Sequence, residues 1–129
     1  MISPATASAV SFLGNGVTCL ALPRKQLGDV YLNGTQLPVN DEATAGWKFF
    51  GIAACQLGAT LLVADKAITS KEDKKKLNMA IAGSGLAYAG MFAANGFCKD
   101  MVKPEMRIIN AVQQVGVAGL AIKALIDDK

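Results

Sequence analysis

Residues 77–98, LNMAIAGSGLAYAGMFAANGFC, decide how this chain is read. The 22 residues carry no formal charge, and a single helix of that length crosses the hydrocarbon core of a bilayer. At the helical period Ala80, Gly83, Ala87, Gly90 and Ala94 form one stripe, and Ala82, Gly85, Ala89, Ala93 and Gly96 form a second, roughly 130° around the axis. In lipid, burial of apolar surface hardly drives helix association, so small residues that let backbones approach carry much of the packing. Two smooth stripes predict two close neighbours and a middle position for this helix. The alternative for the same residues is an Ala-rich core helix of a soluble interaction module.

The rest of the chain repeats this blockwise pattern. Charges cluster in residues 24–25, 41–48, 65–76, 99–107 and 123–129, which leaves four apolar blocks. An amphipathic soluble bundle would instead show charge on every turn of its outer faces. Apolar residues make up 52% of the 129, enough to place the chain at the border of the membrane class. The net charge is +3, and the basic residues sit at block ends without interleaved aromatics, so nothing points to a nucleic-acid partner. Cys19, Cys55 and Cys98 are odd in number, form no CxxC and lie in or at the ends of apolar blocks, where cysteine acts as a small apolar residue. The chain has no histidine. That removes the commonest metal ligand, the commonest general base and the usual axial ligand of haem or chlorophyll.

In chain order, Ser3 and Pro4 suit the cap and first residue of a span over residues 4–22, which Pro23 ends. Without a basic n-region this segment is read as a retained span rather than a cleaved leader. Gly14, Asn15 and Gly16 are expected to bend or loosen it. The connection over 24–45 contains Asn33-Gly34 between short apolar runs, the strongest local hairpin signal. The same residues with Thr35 spell a glycosylation pattern, but the turn accounts for them without modification. A second span over 46–67 begins with Trp47 as an interfacial anchor and carries Gly51, Ala54, Cys55 and Gly58 as its small stripe. Ser70 and Asp73 nearly match a capping box and start a third helix over 71–98, expected to form a tight antiparallel hairpin with the second. Pro104 and Glu105 suit the first turn of a fourth helix over 104–126. The expected fold is therefore all-α: a single-domain four-helix transmembrane bundle with a small extramembrane β-hairpin between helices one and two.

Inside these spans the polar residues Asn15, Thr18, Gln56, Thr60, Ser84, Tyr88, Asn95, Asn110, Gln113 and Gln114 include no group that ionises near neutral pH. Charged residues such as Asp65 and Lys66 lie at helix ends, and no Ser/His/Asp, Cys/His or paired-carboxylate arrangement is present. Gly83-Ser84-Gly85 lies inside an apolar run without a following P-loop lysine. A non-enzymatic protein is the expectation. The best site candidates are Ser84, Tyr88, Met91 and Asn95 on one face of helix three and Asn110, Gln113 and Gln114 on one face of helix four, with Gln56 on helix two. Their plain role is hydrogen bonding between helices. Their sharper role is binding: Gln56, Tyr88, Asn110, Gln113 and Gln114 offer non-histidine contacts to chlorophyll, carotenoid, quinone or lipid, since amide oxygens suit hard cations such as magnesium.

Four spans in a short chain, a long first connection after Pro23 and Arg24, and a basic loop after Ala64 resemble the small DoxX-like membrane proteins. The layout is equally similar to small accessory subunits of photosystems and respiratory complexes. The first resemblance implies a small membrane redox or quinone- or lipid-binding protein. The second implies a non-catalytic accessory subunit of an energy-converting complex, whose partners are other membrane subunits and lipids. Together with the double small-residue face, the missing catalytic groups favour the second, in a thylakoid ahead of a mitochondrial inner membrane.

Overall fold

The computed structural model describes residues 1–32, 40–94 and 102–128. Five α-helices follow one another: α1 Pro4–Ala21, α2 Pro23–Lys25, α3 Asp41–Ala67, α4 Lys71–Ala93 and α5 Pro104–Asp127, with a π-helical turn Gln26–Tyr31 after α2. The bundle is all-α, and no β-strand occurs among the described residues.

Capping explains where the long helices start. The Ser3 hydroxyl accepts from the Thr6 amide at 3.0 Å, with Pro4 in the first turn of α1. Asn40 accepts from the Ala43 amide at 2.8 Å, and Asp41 and Glu42 then sit at the positive end of the α3 dipole. Ser70 accepts from the Asp73 amide at 3.4 Å at the start of α4. In that first turn Glu72, and with it Asp73, hold the Lys76 ammonium above the usual lysine pKa. At the far end of α4, Arg107 from α5 donates through Nε to the Phe92 carbonyl at 3.2 Å and through a terminal nitrogen to the Ala94 carbonyl at 3.5 Å. These are carbonyls that the helix end would otherwise leave unpaired. Arg107→Ala is expected to cost about 1–2 kcal/mol, read as a lower midpoint of thermal unfolding in detergent.

The expected four-helix bundle with a β-hairpin is corrected in two respects. Pro23 ends α1 but also starts a new helical turn, because its fixed φ suits a first helical position. The chain then bends by 108° and runs as the π-helical turn to Tyr31. Val30 and Tyr31 are thus helical, Leu32 makes only an isolated antiparallel bridge to Val102, and Asn33-Gly34 lies outside the described residues. The helix count among the described residues is five. In addition, α3 begins five residues before position 46, since Asn40 supplies a cap and Gly46 continues the helix with open space beside it. α1 is one continuous helix through Gly14-Asn15-Gly16.

Packing also departs from chain order. α1 lies intimately against α3, and α4 against α5, while the two pairs meet through α1. α3 and α4 are joined by residues 68–70 but are not close partners, so the expected tight hairpin between them does not form. Glycine determines the first pair. A Cβ on Gly16 would come within 2.8 Å of the Gly51 carbonyl oxygen and 2.9 Å of the Cys55 amide nitrogen. A Cβ on Gly58 would meet Leu13 Cγ at 2.7 Å and the Ala9 carbonyl oxygen at 3.0 Å. At one end of this pair Asp65 Oδ2 accepts from Ser3 Oγ at 2.6 Å and from Thr6 Oγ1 at 3.2 Å, tying the start of α1 to the end of α3. Asp65→Ala is expected to destabilise by about 1–2 kcal/mol, because both hydroxyls lose a charged acceptor. The matching measurement is faster proteolysis near the N-terminus of the folded protein.

The second stripe of α4 meets α5. Ala82, Gly85 and Ala89 are buried, and a Cβ on Gly85 would touch the Ala118 methyl at 3.2 Å. The first stripe faces outward: Ala80, Gly83, Ala87, Gly90 and Ala94 are all exposed, with nothing near Gly83 or Gly90. The core holds mainly small side chains, Ala5, Ala9, Ala54, Ala118 and Ala121 among them. Large branched ones are outside, with Val63 67%, Val112 65% and Ile108 64% exposed. α3 and α5 are long and apolar enough to cross a membrane, and α1 with its bent continuation makes a third candidate. α4 is described to Ala93, opens with six charged residues and is not among these candidates.

Candidate functional site

Because α3 and α4 do not touch closely, a cleft runs between them, floored by α1 and α5. It has two adjoining chambers that share Phe12, Tyr88 and Gln114 as walls. The upper one, of about 290 Å³, sits at the end of the bundle where α1 finishes and α5 begins. Six of the seven aromatic residues among the described ones line it: Phe12, Tyr31, Trp47, Phe50, Tyr88 and Phe92. The lower one, of about 260 Å³, is aliphatic, with Leu57 and Leu61 of α3 opposite Leu77 and Ile81 of α4.

The rings form two groups. Trp47 stacks on Phe50 with centroids 5.3 Å apart and meets the edge of Tyr31 at 5.0 Å. Tyr88 stacks on Phe92 at 6.5 Å and meets Phe12 edge-on at 6.4 Å. Both are the offset and edge-to-face arrangements that the ring quadrupole favours. The π-helical turn is what brings Tyr31 to Trp47. It is held by the Lys103 amide donating to the Tyr31 carbonyl at 2.8 Å and by the Lys103 ammonium donating to the Asp29 carbonyl.

Polar groups in the upper chamber come from Asn15, Asn110 and Gln114. Asn110 is buried, donates from Nδ2 to the Met106 carbonyl at 2.7 Å and has its side chain at the Tyr31 hydroxyl. Gln114 is also buried, and its side chain makes no hydrogen bond to another described residue. The indole N–H of Trp47 is the one buried side-chain polar atom without a partner among the described residues. A buried donor left unpaired costs about 1–3 kcal/mol. Among the described residues no charged side chain lines either chamber. No group of three or more His, Cys, Asp or Glu residues is placed to hold a metal among the described residues.

The structure separates the sequence candidates. Tyr88, Asn110 and Gln114 share the upper chamber. Gln113 points elsewhere: its Nε2 donates to Ser11 Oγ at 2.7 Å and joins α5 to α1. Gln113→Leu should cost about 1 kcal/mol, as membrane interhelical hydrogen bonds do, measured by unfolding in mixed micelles. Gln56 is exposed on α3 and lines neither chamber, Ser84 lines the lower one, and Asn95 is outside the described residues. Trp47, near the start of the candidate span α3, is half-buried against Tyr31 and Phe50. Sequence reasoning missed Phe12, Tyr31, Trp47, Phe50 and Phe92. Trp47, Phe50 and Phe92 lie close to the 22–40 and 94–103 connections, but Phe12 is at the middle of α1 and Tyr31 is within the first connection, and only the pairing of helices brings the five together.

Fold and cleft together define a helical bundle with two to three candidate membrane-spanning helices and an aromatic chamber at one end. No family model, curated protein or solved structure matches the chain.

Proposed function

We propose that this chain is a non-catalytic accessory subunit of a membrane complex, embedded in lipid and docked on a neighbouring helix through the outward stripe of α4. The observation that carries this reading is the contrast between two equivalent stripes. One buries Ala82, Gly85 and Ala89 against α5, and the other leaves Ala80, Gly83, Ala87 and Gly90 exposed, with open space around Gly83 and Gly90. In lipid a smooth helical face gains its stability from close backbone approach, so a face of this kind is complete only against another helix. Small side chains inside and large branched ones outside support the membrane setting, because exposed apolar surface of that extent is costly in water. The layout it shares with small subunits of energy-converting complexes extends the reading to such a complex, photosynthetic ahead of respiratory, with other membrane subunits and lipids as partners.

Isolation of the native particle in mild detergent tests this. The chain should enter the detergent-rich phase and elute with larger membrane subunits, and the visible spectrum of the particle should distinguish chlorophyll from haem bands. Recovery from the aqueous phase, or a monodisperse monomer with no companion proteins, would overturn the reading.

A further inference from the structure

We infer that the cleft between α3 and α4 binds one neutral prenylquinone-like amphiphile, with its flat carbonyl-bearing ring in the upper chamber and its hydrocarbon tail in the lower. The inference stands on the cleft and is independent of whether the outer stripe of α4 docks a partner.

The chamber selects the head by size, shape and charge. About 290 Å³ is the lower end of small-molecule sites and admits a single substituted ring, not a tetrapyrrole macrocycle. Rings on both sides, Trp47 with Phe50 and Tyr88 with Phe92, offer stacking surfaces to a planar head. Gln114, buried and without a side-chain partner among the described residues, and Asn15 bring amide donors to one wall, so the head must carry an acceptor. Among the described residues no lysine or arginine lines either chamber, so these walls offer a desolvated phosphate no counter-charge. A ring carbonyl has no such cost.

The tail follows from continuity. Phe12, Tyr88 and Gln114 belong to both chambers, and beyond them Leu57, Leu61 and Ile81 form an aliphatic trough of about 260 Å³.

Trp47 is the single tryptophan of the chain, so its fluorescence reports the site directly. In maltoside micelles a decyl-substituted benzoquinone should quench it saturably at one per chain, without displacement by an equal amount of decylbenzene. Gln114→Leu should weaken binding roughly tenfold through the lost hydrogen bond, and Gln56→Leu, on the outer face of α3, should leave it unchanged. Asn15→Leu gives a second reading of the amide contribution should Gln114→Leu not fold. Ser84→Phe, which fills the lower chamber, should weaken the decyl compound and spare tail-free dimethylbenzoquinone. Linear, unsaturable quenching would overturn the proposal. So would displacement by decylbenzene, or by phosphatidylglycerol, which would make the cleft a general lipid groove. Indifference to both amide variants would remove the carbonyl head, and equal response of the two quinones to Ser84→Phe would remove the tail.

Discussion

Gly16→Ala is expected to lower the stability of the folded protein by about 1–3 kcal/mol, whereas Gly14→Ala, two residues away in the same helix, should raise it by up to about 1 kcal/mol. Helix propensity alone predicts a gain at both positions, since alanine loses less backbone entropy than glycine. The difference is what the new methyl group meets. At Gly14 there is nothing within 4 Å, while at Gly16 the Gly51 carbonyl oxygen and the Cys55 amide nitrogen stand at 2.8 and 2.9 Å. Those are backbone atoms of α3, which cannot rotate aside as a side chain can, so the helices must separate and lose contact along their length. Gly58→Ala should fall between the two, because its closest neighbour is Leu13 Cγ at 2.7 Å, the branch point of a flexible side chain. Reversible unfolding in mixed micelles would rank the three. Equal responses at positions 14 and 16 would show that α1 and α3 do not pack in this way.

Gly83→Leu combined with Gly90→Leu should abolish association with neighbouring membrane subunits and leave the unfolding midpoint of the isolated chain no lower than that of the parent, since leucine favours the helix over glycine at both open positions. Both positions lie on the outward stripe of α4 and have open space around them, so leucine creates no clash inside the molecule. Against a close helix the same side chains hold the backbones apart, and in lipid no hydrophobic gain offsets that loss of packing. Co-purification followed by subunit analysis gives the association, and thermal unfolding of the purified chain gives the control. A native complement of subunits around the double variant would remove the outer stripe from the interface.

Much of the architecture is local and therefore legible. Ser3, Ser70 and Pro104 mark helix starts because capping and fixed φ act within one turn. Asn40 does the same for α3, and Gly46, which resembles a helix boundary, lies inside the helix. The hairpin expectation failed for a related reason. Pro23 ends one helix and opens the next, and the following turn is held by Val102 and Lys103 from a distant part of the chain.

The site was less legible than the helices. Asn110 and Gln114 share a helical face with Gln113, and periodicity groups all three, yet Gln113 is taken up by Ser11 while its neighbours turn to the chamber. Tyr31 and Trp47 come together only because the chain folds back through the π-helical turn.

By itself, then, the sequence determined an apolar helical chain with small-residue stripes on residues 77–98, since period and composition are properties of one segment. Tertiary structure decided which stripe is covered. Two stripes of alanine and glycine have nearly equal capacity to pack, and only the placement of α5 against Ala82, Gly85 and Ala89 leaves Gly83 and Gly90 outside. It also decided that α3 pairs with α1 rather than with its chain neighbour α4, because Gly16, Gly51 and Gly58 allow a closer approach, and the cleft between α3 and α4 is the consequence.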